Sequence, residues 1–235
     1  AILNSLQFMY NRRNEKNLLI LHEDNHIIVI NKRCGDIVQG DKTGDTPLLD
    51  YVKKYIKIKY KKPGDVFLGT VHRIDRPTSG AVIFAKTSKA LTRLNKMLVD
   101  KEIKKTYWAI VKNIPKNEIG IINSWLKKNP KNNKSTSYTK QVKESKESIL
   151  EYKIIKHLDN YCLLEINLKT GRHHQIRCQL SSIGSSIKGD LKYGAKRSNK
   201  DGGINLHSRK IEFIHPVSKK NIKLNCPTPK DPLWD

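Results

Sequence analysis

Two segments of the chain concentrate side chains that can do chemistry. In His72-Arg73-Ile74-Asp75-Arg76, four ionisable side chains fall within five residues, and Pro77 and Gly80 close the loop. Asp75 between Arg73 and Arg76 predicts a carboxylate kept ionised by flanking cations and able to act as a nucleophile. A surface turn held by salt bridges is the alternative for such a stretch. The second segment, Thr170-Gly171-Arg172-His173-His174-Gln175-Ile176-Arg177, sets Arg, His and Gln together at a strand-to-helix junction. That composition suits capture of a phosphate or carboxylate at a helix N-terminus. Arg172 and Arg177 could equally bind phosphate with no part in catalysis.

Other motifs are decoys. His72-Arg73-Ile74-Asp75 has one residue more than the kinase H-R-D, and no D-F-G or G-x-G-x-x-G accompanies it. Asp41-Lys42-Thr43-Gly44 matches the phosphorylated motif of ion pumps, yet no apolar run approaches the ~18 residues of a membrane span. It reads instead as a glycine turn. Cys34, Cys162, Cys178 and Cys226 stand far apart without C-x-x-C spacing, so neither a disulfide framework nor a metal site is expected. The first residues lack the basic-then-apolar order of a signal peptide, which predicts a soluble cytoplasmic protein.

Charge narrows the partner. Lys+Arg 46 against Asp+Glu 22 gives a net +24 over 235 residues, the footprint of a polyanion binder. The same Lys, Asn and Ile enrichment is also what an AT-rich genome would impose on any surface. No helix-turn-helix or finger pattern marks a DNA-binding module.

The elements that must position the two segments follow from periodicity. Leu18–Leu21 and Ile27–Asn31 flank a turn at Glu23–His26 and predict a hairpin. Thr46 is expected to cap a helix opening at Pro47, with Leu48, Leu49, Val52 and Tyr55 recurring along it. Ala81–Ala85 reads as a buried strand, and Thr87-Ser88-Lys89 starts a helix running through Leu98 toward Ile103. Tyr107–Val111, Ile119–Leu126, Ile149–Lys156, Cys162–Lys169, Ile204–Ile214 and Ile222–Leu224 predict strands; Gln175–Leu180 predicts a helix. The lysine-rich 129–146 segment reads as a solvated loop or hairpin. Hairpins outnumber strand–helix alternation, so the expected class is α+β with a mixed, mainly antiparallel sheet. Residues 1–17 are expected to form an arm and 18–235 one domain.

Taken together the segments resemble the RluA-type family of pseudouridine synthases. His72–Gly80 is similar to its H-R-L-D-x-x-T-S-G motif, and Lys105-Thr106-Tyr107-Trp108-Ala109 to K-x-Y-x-A. Thr170–Arg177 is similar to T-G-R-x-H-Q-[IL]-R; Gly189–Gly194, Leu206-His207 and His215-Pro216 resemble G-D-x-x-Y-G, L-H and H-P. Ile74 replaces the usual Leu, and Lys32-Arg33-Cys34-Gly35 stands where K-P-x-G is general. No S4-type RNA-binding domain is recognised before residue 18. The resemblance implies the pseudouridine synthase catalytic fold and conversion of uridine to pseudouridine in structured RNA, ribosomal or transfer. It implies no cofactor, no metal and a monomeric protein. It assigns catalytic roles to Asp75, Tyr107 and Arg177. Substrate binding falls to Arg73, Ile176, Arg172, His174, Gln175 and Lys105. By residue environment alone Tyr107 would read as core. A non-catalytic RNA-binding module on the same fold is the competing reading, and retention of Asp75 argues against it.

Overall fold

A computed structural model describes residues 12–235, and residues 1–11 of the expected arm lie outside the described residues. Within residues 12–17, Arg13 is buried and its Nε donates to Asp36 Oδ2 at 2.7 Å.

Six elements form the first half: β1 (Ile20–Glu23), β2 (Ile27–Lys32), α1 (Leu48–Lys59), β3 (Gly69–Thr70), β4 (Ser79–Ala85) and α2 (Ser88–Val99). Next come β5 (Lys104–Val111), β6 (Ile119–Asn129), β7 (Lys134–Tyr138), β8 (Lys146–His157) and β9 (Cys162–Leu168). After α3 (Gln175–Ser182) and the 3₁₀ turn η1 (Leu191–Tyr193), β10 (Leu206–Ile214) and β11 (Asn221–Asn225) close the sheet. The strands pair in the order β1-β2-β4-β10-β5-β9-β8-β6-β7, with β3 on β4 and β11 on β10. All pairs are antiparallel except β4–β10. This is the α+β, mainly antiparallel arrangement the periodicity predicts.

Helices cover both faces of the central strands. Leu48, Val52 and Ile56 of α1 pack with Ile28, Ile30, Val82 and Phe84, in a core continuous with Tyr107, Ile176 and Leu180. On the opposite face, Ala90, Leu94 and Met97 of α2 pack with Ile27, Val29, Ala81, Ile83 and Ala85. Two-sided burial explains why β2 and β4 are unbroken apolar runs rather than alternating ones. Thr87 caps α2 by accepting from Ala90 N–H at 3.1 Å, at the helix start the sequence predicts.

Two expectations are corrected. Thr46 does not cap α1; the N–H groups of Leu48 and Leu49 donate to the Ile37 and Val38 carbonyls, leaving no orphan donor for its hydroxyl. Helix α2 ends at Val99, and Ile103 belongs to the apolar core on that face. Of the two readings of the 129–146 segment, loop or hairpin, the structure has the hairpin: β7 pairs with β6 from Trp125↔Tyr138 to Asn129↔Lys134.

The β4–β10 junction depends on Gly80. Its φ is +119°, and a Cβ there would meet the Ser208 backbone at 2.4 to 2.7 Å. Gly80→Ala is expected to destabilise the protein by about 2–3 kcal/mol through backbone strain, measured by urea denaturation. A change below about 0.5 kcal/mol would show that this close approach is not constrained.

Candidate active site

Asp75 projects from the loop joining β3 to β4, and that loop is fixed from below. Thr78 N–H donates to the Asp75 carbonyl at 3.0 Å, and Gly35 N–H to the Arg76 carbonyl at 2.8 Å. The wholly buried Lys32 sends its ammonium to the carbonyls of Asp36, Arg33 and Arg76 at 2.7, 2.9 and 3.1 Å. Burial pushes Lys32 down to about 7, opposed by Asp36. Three carbonyls for three N–H donors favour the ammonium further.

The arginines beside Asp75 in sequence are not the ones that hold it, which corrects the simplest reading of that loop. Arg76 turns away to Asp45 at 2.8 Å and Thr43 at 2.9 Å. Arg73 is exposed on the lip of a cleft. Instead the buried Arg177, from the first turns of α3, donates Nη1–H to Asp75 Oδ2 at 3.0 Å. Its other donors grip Asp190 as a fork, Nε to Oδ2 at 2.7 Å and Nη2 to Oδ1 at 2.9 Å. Burial opposes the guanidinium's charge, and the two carboxylates outweigh it and raise its pKa. Asp190 is 1% exposed and Asp75 is 32% exposed at the side chain. One guanidinium therefore anchors on an inner carboxylate and presents an outer one to solvent.

Around Asp75 opens a cleft of about 1650 Å³, larger than the 300–1,000 Å³ typical of small-molecule sites. Asp75, Tyr107, Arg177, Arg73, Arg172, His174 and Lys105 all line it. Tyr107 lies on β5 opposite Ser208, itself opposite Gly80, so one row across three strands carries it toward the Asp75 loop. Burial, and then the Asp75 charge, raise the Tyr107 hydroxyl's pKa. Burial lowers that of Lys105. Lys42, Lys101, Lys128 and Lys192 add positive charge along the walls.

Two candidates stand behind the wall. Gln175 is 3% exposed, accepting from Thr170 and Arg172 and donating to the Ile149 carbonyl and Gln179. Those bonds brace the turn into α3. Ile176 is 5% exposed in the core shared with Tyr107.

Comparison with known proteins follows the same residues. A family model described as RNA pseudouridylate synthase matches residues 26–182. The chain belongs to the RluA-type family of RNA pseudouridine synthases. It is 36% identical over 215 residues to ribosomal large subunit pseudouridine synthase C of Buchnera aphidicola (strain APS), covering 88% of this chain and 66% of that one. To ribosomal large subunit pseudouridine synthase D of Zymomonas mobilis it is 32% identical over 224 residues, covering 91% of this chain and 70% of the relative. The chain thus spans about two thirds of the length of these relatives. Among solved structures, human RNA pseudouridylate synthase domain containing 4 shares the fold, with TM-score 0.74, 21% identity, and 90% and 89% of the two chains covered.

Within this pseudouridine synthase fold, residues outside the expected set complete the geometry. Asp190 and Tyr193 lie in the segment resembling G-D-x-x-Y-G, a signal that was present in the sequence. Ser135, whose N–H donates to the Tyr193 hydroxyl at 2.8 Å, carried none, being a small polar residue among lysines.

Buried neutral histidines give the protein an acid sensitivity above the carboxylate range. Burial pushes His72 down to about 3 and His207 down to about 4 from 6.5. In the unfolded chain they protonate as pH falls through 6.5, while the folded state stays neutral, so stability declines from pH 6.5 toward 4. The expected slope is up to about 1.4 kcal/mol per pH unit for each. A thermal midpoint independent of pH between 6.5 and 4.5 would contradict it.

Proposed function

We propose that the protein isomerises uridine to pseudouridine at specific sites in structured RNA, with Asp75 as nucleophile. The observation that supports this most is the Arg177 fork. It leaves Asp75, a carboxylate with a fixed cationic partner, facing a wide basic cleft lined by Tyr107. Asp75 attacks the target nucleotide, at the ribose or the base, and the N1–C1′ glycosidic bond breaks. The uracil turns, C5 bonds to C1′ as the bond to Asp75 breaks and returns its carboxylate, the C5 proton leaves and N1 ends protonated. No electrons and no group pass to a second molecule, so the reaction calls for no cofactor.

A base inside an RNA helix must first leave the stack, at a cost of a few kcal/mol. Stacking on Tyr107 recovers about 1–3 kcal/mol of that. Arg73, exposed at the lip, enters the space the nucleotide vacates. Arg172, Lys105 and the wall lysines hold phosphates, while Gln175 and Ile176 act from behind by fixing α3. The relatives' names favour large-subunit ribosomal RNA over transfer RNA as substrate. The protein works as a cytoplasmic monomer.

Isomerisation exchanges the C5 hydrogen, so transcripts carrying [5-³H]uridine report it as tritium released to water. Purified protein is expected to release tritium from large-subunit ribosomal RNA in amounts equal to discrete sites. Absence of release from ribosomal and transfer RNA alike would overturn the reading.

A further inference from the structure

The β6–β7 hairpin reaches Asp75 through three contacts. Ser135 of β7 is 3% exposed and donates its N–H to the Tyr193 hydroxyl at 2.8 Å. That hydroxyl lies 2.9 Å from His174 Nδ1. The far nitrogen of the same ring, Nε2, lies 3.6 Å from Asp75 Oδ2, an approach just longer than a hydrogen bond. His174 stands at φ 52° and ψ 27°, the left-handed region, directly before α3. A non-glycine residue there costs free energy that the surroundings must repay. Here the conformation aims the ring between Tyr193 and Asp75, under the stacked ring of His173 at 3.7 Å.

Donor counting favours one direction for the chain. The Tyr193 oxygen accepts from Ser135, and its one proton has His174 Nδ1 as partner. Burial keeps His174 neutral, pushed down to about 3, so its single ring proton then sits on Nε2 facing Asp75. The other tautomer would turn a nitrogen lone pair toward the carboxylate and take the Nδ1 acceptor away from the phenol proton.

We propose that Tyr193 and Ser135 are positioning residues: seating of the β6–β7 hairpin on η1 sets the His174 tautomer, and through it the placement of Asp75. The hairpin also carries Lys128 and Asn133 into the cleft wall, and Lys192 of η1 donates to the Asn132 and Asn133 carbonyls at 3.2 and 3.1 Å. RNA held along that wall therefore presses on the element that orients the nucleophile. Contacts of this kind shorten when substrate is bound, which brings Nε2–H within hydrogen-bond reach of Asp75. The kinetic part rests on the proposed isomerase reading; the tautomer part does not.

Tyr193→Phe removes only the hydroxyl and keeps the ring that packs with Leu126 and Cys178 and faces Arg177 at 5.1 Å. Imidazole ¹⁵N spectra of the full chain, with His174 assigned through His174→Gln, read the tautomer directly. Wild type is expected to show a protonated Nε2 and a bare Nδ1, and Tyr193→Phe an averaged pair. Tritium release is expected to show kcat down about 10- to 100-fold with KM changed less than about threefold. Ser135→Ala, which keeps the N–H to Tyr193, is expected to retain the wild-type tautomer. A proton on Nδ1 in the wild-type spectrum overturns the proposal even if the Phe variant does not fold. An unchanged tautomer or an unchanged kcat in Tyr193→Phe overturns it as well. If wild type releases no tritium, the isomerase reading fails while the spectra still decide the chain.

Discussion

Asp75→Asn is expected to lower the rate of pseudouridine formation by ~10³-fold or more and to leave RNA affinity within about threefold. The substitution is isosteric and keeps an oxygen for Arg177 Nη1, while the anion proposed as nucleophile is gone. The fold survives because Arg177 retains both bonds to Asp190. Binding is expected to survive because the charges proposed to hold phosphates lie elsewhere along the cleft, on residues such as Lys128 and Arg172. Single-turnover tritium release with excess protein separates the chemical step from binding. A rate within about tenfold of wild type would mean that Asp75 is not the nucleophile.

Arg177→Met carries the second large effect, on stability and activity together. The guanidinium is 6% exposed and lies between a carboxylate that is 1% exposed and one that is 32% exposed. Removing one partner of a buried ion pair leaves the other charge uncompensated, at a cost of about 3–5 kcal/mol. Asp190 has its Arg177 bonds as its side-chain ties among the described residues, so it bears most of that cost. Asp75 loses its orienting donor, and the rate is expected to fall by roughly 10²-fold or more. Arg177→Lys is expected to fall between, since one ammonium cannot reproduce a fork shared by two carboxylates. Urea denaturation of both variants measures the first effect, and a loss below about 1 kcal/mol in Arg177→Met would contradict the buried-pair account.

Much of the fold was legible because its central strands are simple. Ile27–Ile30 and Ala81–Ala85 are apolar runs, and each is covered on both faces. Thr87 names its helix with a hydroxyl at the right spacing. Thr46 offered the same hydroxyl and was bypassed, because the Ile37 and Val38 carbonyls reach the helix start first. Sequence does not show such competition between distant backbone groups.

The site divides the same way. Asp75 and Arg177 stood out through the density of ionisable groups around them, yet their pairing spans 102 residues and no local spacing shows it. Local spacing pointed to Arg76, which the fold spends on Asp45. Ser135 was invisible because one buried backbone N–H among lysines leaves no trace in periodicity. Gln175 and Ile176 were visible as a motif, while their place behind the wall depends on how α3 is rotated.

Mapping pseudouridine across total RNA from cells lacking this gene, complemented with the intact protein or with Asp75→Asn, tests Asp75-dependent isomerisation most directly. Discrete sites are expected to vanish in the deletion and return only with the intact protein. Full restoration by the Asn variant, or a map unchanged by the deletion, would contradict it.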